Sequence, residues 1–206
     1  MANITAQDVQ RFRAATGAGM MDAKRALEES GGDVDRAVDA LRKKGAKVAA
    51  ARGERATSQG LVESYVHGGG TLGVLVEVAC ETDFVARTDK FKELAHDIAM
   101  QVAATNPQYI AVDDVPADVI VREREVYLGQ LKEQGKQGPM VEKIVEGKLE
   151  KFYEEACLLK QPFFKDDTKK VQDVVNETIT ATGENIKIKR FARFTLSGRP
   201  SVAGSA

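Results

Sequence analysis

The sequence has few of the residues on which most enzymes and metal proteins depend. It contains only two histidines, His67 and His96, and two cysteines, Cys80 and Cys157. The cysteines form no Cys-x-x-Cys pair, so we expect no zinc site and a reducing compartment, although a disulfide stays open. The chain also lacks the Gly-x-Ser-x-Gly, P-loop and Gly-x-Gly-x-x-Gly motifs. We therefore expect neither an enzyme nor a bound cofactor or metal.

A strong net charge and long apolar runs are absent as well. The formal net charge of -1 argues against binding nucleic acid by bulk phosphate neutralisation. No apolar stretch is long enough to span a bilayer. Residues 1–8 lack the basic and apolar regions of a secretory signal. We therefore expect a cytoplasmic protein with no membrane contact and no direct nucleic-acid contact.

Residues 1–45 predict a compact unit of three helices, similar in outline to a ubiquitin-associated domain. Thr5 and Asp8 have the spacing of a capping box at the start of the first helix. Pairs of glycines separate the three helices, and Gly45 predicts the end of the third. Residues 46–60 carry no apolar stripe, and we interpret them as a linker that is in part helical.

Residues 61–197 predict an α+β core with an antiparallel sheet and packed helices. Its alternating strands cover 61–67, 71–80 and 186–196, and its amphipathic helices cover 89–104 and 170–182. The glycines at 68–70 predict a hairpin turn and open no helix, which disfavours a phosphate-binding loop. Two further amphipathic helices, around a Gly/Pro turn, predict an antiparallel helical hairpin over 116–157. Residues 198–206 are small and polar and predict a flexible tail.

Several side chains are candidates for contact with a partner. Phe84 follows the second strand directly; taken alone it is most simply a buried aromatic, with Asp83 as a turn residue. Met20 and Met21 point about 100° apart on a helix, so both cannot easily face one small core. One of them, or Phe12, is then an exposed apolar contact, unless both methionines pack at the rim of the bundle.

Two polar patterns have ordinary structural explanations. His96 and Asp97 lie within a predicted helix, where a partly exposed polar face is favoured over a catalytic pair. Lys187, Lys189 and Arg193 form a basic stripe on the last strand. RNA contact is one interpretation, but a solvated sheet face or a charged edge strand is favoured because the overall charge is balanced.

Two motifs resemble signatures of the elongation factor Ts family. The first is RAATGAGMMDAKRAL at residues 13–27, and the second is CETDFVA at residues 80–86. The likeness continues through GKLEKF at 147–152 and GENI at 183–186, so it covers nearly the whole chain. Two independent motifs in the family's order make a chance agreement improbable.

The resemblance implies a guanine-nucleotide exchange factor that binds elongation factor Tu and speeds GDP release. The N-terminal module, with Phe12, Met20 and Met21, would dock on the nucleotide-binding domain of factor Tu. The segment Thr82, Asp83, Phe84 and Val85 would act as a wedge beside the magnesium and phosphate end of the GDP site. The helical hairpin would be a further contact.

The resemblance also bears on oligomeric state. Longer members of the family carry two related core subdomains, whereas this chain carries one, and short members with this layout pair as homodimers. Two other functions stay open: a ubiquitin-associated-type binding module acting through residues 1–45, and a ribosome-associated RNA-binding factor that uses Lys187, Lys189 and Arg193. Exchange would depend on Phe84, whereas a ubiquitin-associated-type module would work through residues 1–45 alone. An RNA-binding factor would bind nucleic acid with a steep dependence on salt.

Overall fold

A computed structural model of the chain describes residues 4–196, 198 and 200–204. Its architecture is α+β, as the sequence predicts, with eight α-helices and six strands in those residues. The helices are Ala6–Thr16 (α1), Met20–Glu29 (α2), Val34–Arg52 (α3), Asp83–Ala86 (α4), Asp89–Thr105 (α5), Ala117–Glu133 (α6), Met140–Ala156 (α7) and Val171–Thr182 (α8). The strands are Gln59–His67 (β1), Leu72–Cys80 (β2), Pro162–Phe163 (β3), Asp166–Lys170 (β4), Ile186–Thr195 (β5) and Ser201–Ala203 (β6). Within the described residues, no helix combines the length and apolar character needed to cross a membrane.

The chain forms two compact units whose segments alternate along the sequence. The first unit comprises Met1–Gly60, Ala79–Leu94 and Asp173–Lys187, and the second comprises Leu61–Val78, Ala95–Gln172 and Ile188–Ala206. The N-terminal helices therefore share a unit with the exit of β2 and most of α8. The sequential domains 1–45, 46–60 and 61–197 stay a prediction.

The N-terminal helices of the first unit pack around a small apolar core. The Thr5 hydroxyl accepts the Asp8 backbone N–H at 3.2 Å, and the Asp8 carboxylate accepts the Thr5 backbone N–H at 3.0 Å. These two bonds form the predicted capping box. Gly17 ends α1 in the left-handed region at φ 67°, which a glycine adopts without strain. The buried core consists of Val9, Phe12, Ala23, Ala26, Leu27 and Ala37.

Helix α3 does not end at Gly45, so that part of the sequence prediction is wrong. The helix continues to Arg52, and the predicted linker is helical over 46–52. Gly45 is buried, and a Cβ there would lie 3.6 Å from the Thr180 hydroxyl oxygen. The Arg52 guanidinium also donates to the Ile179 carbonyl at 3.3 Å. Packing against α8 thus offsets the low helix propensity of glycine, about 1 kcal/mol relative to alanine.

The sheet of the second unit has the strand order β1-β2-β5-β6. Val74, Val76 and Val78 of β2 are buried, which confirms the alternation seen in the sequence. The glycines at 68–70, all with positive φ, form the predicted turn between β1 and β2. The other face of the sheet carries exposed apolar side chains, namely Val62, Val66, Leu75, Phe194 and Val202.

Strand β5 departs from the simple alternation of its sequence. Phe191 is buried, whereas Phe194 and Leu196, in phase with Ile186, are exposed. The Arg193 guanidinium donates to the Ala103 carbonyl from Nε at 3.3 Å and from a terminal nitrogen at 3.2 Å. Arg193 is therefore engaged with the end of α5 and does not form a uniform basic stripe with Lys187 and Lys189.

The predicted helical hairpin is present as α6 and α7. Its seam is built from Leu131, Val145 and Leu149, all buried. Arg124 on α6 binds Glu142 and, at 2.7 Å, Glu146 on α7. At about 1.5 Å per residue, each 17-residue helix is about 26 Å long.

The two ends of the hairpin, which belongs to the second unit, meet at one place. The backbone N–H groups of Gln108 and Tyr109 donate to the Ala156 carbonyl at 2.9 and 3.0 Å. In return, the Leu158 N–H donates to the Tyr109 carbonyl at 2.9 Å. A parallel bridge between Tyr109 and Cys157 completes the clamp. The two ends of the hairpin are thus held side by side.

The expectation of a flexible tail over 198–206 is wrong for residues 201–203. They form β6, which pairs antiparallel with β5 through Phe191 with Ala203, Ala192 with Val202, and Arg193 with Ser201. The Ser201 hydroxyl also donates to the Asn106 side-chain oxygen at 3.0 Å. Backbone pairing therefore orders a segment whose composition alone indicates disorder. Residues 197, 199, 205 and 206 of the predicted core end and tail lie outside the described residues.

Candidate partner-binding site

Phe84 lies in the first turn of α4, immediately after β2, with its side chain in solvent. It is 79% exposed, the largest exposure among the exposed large apolar side chains of the described residues. The alternative in which Phe84 is a core aromatic is therefore wrong. Val85 and Asp83 beside it are half-buried, and Ala86 is buried, so the helix is anchored by one face. The segment presents one large apolar group from a fixed turn.

Helix α4 is capped at both ends by threonine side chains. At its start, the Thr82 hydroxyl accepts the Val85 backbone N–H at 3.4 Å. After its end, the Thr88 hydroxyl donates to the Val85 carbonyl at 2.7 Å and accepts the Phe91 N–H at 3.3 Å. A four-residue helix has too few internal hydrogen bonds to persist alone, so these caps define the turn.

A carboxylate from a distant part of the first unit binds the segment before α4. Glu184 Oε2 accepts the backbone N–H groups of Glu81 and Thr82 at 3.1 and 3.0 Å. Its other oxygen, Oε1, accepts the Thr82 hydroxyl at 2.6 Å. One side chain therefore holds three donors of the strand–helix junction, and ionised acceptors make strong hydrogen bonds.

The neighbours of Glu184 form a second set of contacts at the same junction. The Glu81 carboxylate accepts the Asn185 backbone N–H at 2.6 Å. The Asn185 side-chain amide donates to the carbonyls of Gly53 and Arg55, at 3.3 and 2.8 Å. Asn185 is only 2% exposed, so this amide lies in the interior of the unit. The segment after α3, the exit of β2 and the end of α8 thus meet at one junction.

Asp83 and Cys80 have specific partners beside Phe84. The Asp83 carboxylate accepts the Arg87 guanidinium at 2.8 Å, one turn along the chain. The thiol of Cys80 donates to the Thr82 carbonyl at 3.1 Å. Burial, followed by the nearby Glu184 carboxylate, raises the pKa of the Cys80 thiol. Cys80 is therefore a neutral structural thiol, and neither cysteine of the chain forms a disulfide here.

The N-terminal candidates divide into two exposed residues and one buried residue. Met20 and Met21 are exposed, at 44% and 67%. Phe12 is only 5% exposed, so the expectation that it can serve as an exposed contact is wrong. Its ring belongs to the core of the module, because Val9 and Phe12 share the buried face of α1. Phe12 also lines an open groove with Ile4, Asp8, Arg11, Ala15, Leu27, Gly32 and Val34.

The methionines and Phe84 belong to the same compact unit. The turn before α2 approaches the start of α5, since a Cβ on Gly17 would lie 3.8 Å from the Lys90 ammonium nitrogen. Met20 follows Gly17 by three residues, and Lys90 follows Phe84 by six. The exposed methionines and Phe84 are therefore both carried by the first unit.

The histidines lie in the second unit, in ordinary side-chain pairs. His96 Nδ1 is 3.0 Å from the Glu63 carboxylate, and His67 Nδ1 is 2.8 Å from the Tyr65 hydroxyl. Asp97 pairs with the Lys165 ammonium at 2.7 Å. In the described part of the chain, no three His, Cys, Asp or Glu side chains are placed to hold a metal ion.

Sequence reasoning missed the residues that hold the junction, above all Glu184 and Asn185. They lie in the GENI segment that contributes to the family likeness, but no local pattern indicates their partners. Glu184 and Thr82 are 102 positions apart, so no helical or strand period can relate them. Arg87 could have been found, because it follows Asp83 at the i,i+4 spacing of a helical ion pair.

Comparisons with known proteins give a consistent result. The family model described as "Elongation factor TS" matches residues 5–198. The protein "Elongation factor Ts" of Syntrophomonas wolfei is 56% identical over 193 residues, which cover 94% of this chain and 90% of the relative. That of Desulfosudis oleivorans is 55% identical over 196 residues, covering 95% and 99%. That of Thermotoga maritima is 54% identical over 188 residues, covering 91% and 94%.

Proposed function

The chain belongs to the elongation factor Ts family of translation factors, and from this premise we propose that it accelerates GDP release from elongation factor Tu. The observation that carries the proposal is the exposure of Phe84 on a capped turn. An apolar ring held in solvent gains free energy when a partner buries it, by about 25 cal/mol per Å² of apolar area. Family membership names the partner that would bury it.

The mechanism is displacement at the nucleotide site of the partner. GDP affinity in such sites rests on phosphate contacts and on Mg²⁺ bound to oxygen ligands. Phe84 would insert as a wedge beside these groups, and Asp83 would approach the same end of the site. By linkage, a factor that weakens GDP binding is itself bound more weakly when GDP is present. A coupling of about 4 kcal/mol corresponds to roughly a thousandfold change in affinity.

The N-terminal module would provide the binding contact that complements the wedge. Met20 and Met21 are exposed and flexible in their side chains, which suits an apolar contact with a protein surface. Phe12 supports this surface from within the module. The helical hairpin, with Met140 exposed at its turn, would be a further contact with factor Tu.

We also propose that two copies pair through the exposed face of the sheet. That face displays Val62, Val66, Leu75, Phe194 and Val202 to solvent. Several exposed apolar side chains on one face of a sheet are typical of a surface that a partner covers. We propose a second copy as this partner, because the chain carries only one core subdomain and short members of the family pair as homodimers. A symmetric pair would present two Phe84 wedges.

The test of exchange is the dissociation rate of fluorescent GDP from elongation factor Tu, with and without the chain. Wild type, Phe84→Ala and the control Phe164→Ala should be compared; Phe164 is an exposed phenylalanine of the second unit. We expect strong acceleration by wild type and by Phe164→Ala, and a clear loss with Phe84→Ala. Equal acceleration by all three proteins would remove Phe84 from the mechanism. No acceleration by wild type would overturn the function itself.

A further inference from the structure

Glu184, which follows α8, binds three atoms of the junction between β2 and α4. Its two oxygens accept the Glu81 and Thr82 backbone N–H groups and the Thr82 hydroxyl, all within 2.6–3.1 Å. It lies just after Gly183, whose positive φ of 79° ends α8 and turns the chain toward β5. Glu184 therefore reaches the segment from a defined backbone position.

The hydrogen bond between the Thr82 hydroxyl and Glu184 also affects the cap of α4. Because Thr82 donates its proton to Glu184, its oxygen lone pairs remain available to the Val85 backbone N–H. Glu184 thus orients the very group that caps α4. Phe84 lies between Thr82 and Val85, so the direction of its Cα–Cβ bond follows from this cap.

Apart from the buried Ala86 and the Thr88 cap, the segment depends on exposed contacts. Helix α4 has four residues, and the side chain of Phe84 is 79% exposed. The Asp83–Arg87 pair is solvent-exposed and weak by its nature. By contrast, the Asn185 backbone N–H donates to the Glu81 carboxylate, which holds the backbone next to Glu184 at the same junction.

We propose that Glu184 is a positioning residue for exchange: its carboxylate fixes the exposed Asp83–Phe84 turn in the orientation that enters the nucleotide site. The proposal rests on the exchange function proposed above. It assigns Glu184 no contact with nucleotide or with factor Tu. A wedge whose orientation is fixed before binding loses less conformational freedom on insertion, so more of its burial is available to displace GDP.

The first test needs no partner protein. The chain contains four tyrosines but no tryptophan, so Phe84→Trp places a single tryptophan at the wedge, which can be excited apart from the tyrosines. In that background, Glu184→Ala should lower the fluorescence anisotropy of the tryptophan, and amide exchange at Glu81 and Thr82 should become about tenfold faster. The matched control is Glu93→Ala, which removes an exposed carboxylate of the same unit. Unchanged anisotropy and exchange in Glu184→Ala would overturn the proposal.

The second test uses GDP release from factor Tu. Glu184→Ala should lower the maximal acceleration about tenfold, while the half-saturating concentration changes less than about threefold. Combining Glu184→Ala with Phe84→Ala should cost no more than Phe84→Ala alone, since Glu184 acts through Phe84. A further, multiplicative loss in the double variant would overturn the proposal.

Conservative variants separate positioning from general stability. Glu184→Gln keeps the length and part of the acceptor set, so it should recover much of the lost rate. Thr82→Val removes the hydroxyl that Glu184 holds and should resemble Glu184→Ala. If wild type fails to accelerate release, the exchange function falls, and the anisotropy measurement still decides whether Glu184 positions the turn.

Discussion

Phe84 and Phe91 lie seven residues apart on either side of Thr88, and they have opposite environments. Phe91 is fully buried at the start of α5, whereas Phe84 is 79% exposed on α4. The cap at Thr88 begins α5 and separates the two helices, so the two rings do not share a helical face. The same residue type thus contributes to the core in one case and to a partner surface in the other.

This contrast predicts opposite effects of the same substitution on stability. Phe84→Ala should change the free energy of unfolding by less than about 0.5 kcal/mol, because little of the ring is buried. Phe91→Ala should cost about 3–5 kcal/mol through lost burial and a residual cavity. Urea denaturation followed by circular dichroism measures both. A large loss in Phe84→Ala would mean that the ring packs on the protein in solution.

The exposed sheet face predicts a substitution that separates two copies. Phe194→Glu places a charge on the exposed apolar face, where burial against a second copy would be costly. We expect wild type to sediment at twice the chain mass of 22.3 kDa and Phe194→Glu at the mass of one chain. Val121→Glu, on an exposed position of α6, serves as the control. A wild-type mass of one chain at micromolar concentration would contradict the pairing.

Cys157 predicts a pH dependence of stability in the alkaline range. Burial is the main cause that raises the pKa of this thiol, to about 11 from an ordinary value of 9.0. Well below pH 9 the thiol is protonated in both the folded and the unfolded state, so it contributes no slope. Between about pH 9 and 11 the unfolded state loses the proton first, so stability falls as pH rises.

The measurement compares urea unfolding at pH 8, 9 and 10 for wild type and Cys157→Ala. The variant should lose stability less steeply over this range than wild type, whatever its stability at pH 8. Thiol labelling of native wild type at pH 8 should also be slow, since the thiolate is the reactive form. Identical slopes for the two proteins would show that Cys157 titrates normally when folded.

Features defined by neighbouring residues could be predicted from the sequence. The cap formed by Thr5 and Asp8 needs only a three-residue spacing, and the turn at 68–70 needs only its glycines. The seam of the helical hairpin follows from apolar residues such as Val145 and Leu149 at a spacing of four. Each signal lies within a few residues, where the backbone period relates side chains directly.

Features that depend on distant partners could not be predicted in this way. Gly45 has the sequence signal of a helix end, but α8 supplies packing that carries α3 onward. Residues 201–203 have no strand pattern of their own and become a strand by pairing with β5. The exposure of Phe84 could not be derived from periodicity; family resemblance indicated it. No local pattern singles out Glu184, because its partners lie 102 and 103 positions away.

The clamp between residues 108–110 and 156–159 holds the helical hairpin by backbone bonds that do not involve the sheet. Because both ends of the hairpin are tied by their own backbone bonds, a change in its length leaves the neighbouring strands and their register where they are. Closing a longer or shorter loop at such a point costs little additional entropy. The helical hairpin can therefore be lengthened, shortened or replaced in evolution without a change in the part of the molecule that carries Phe84.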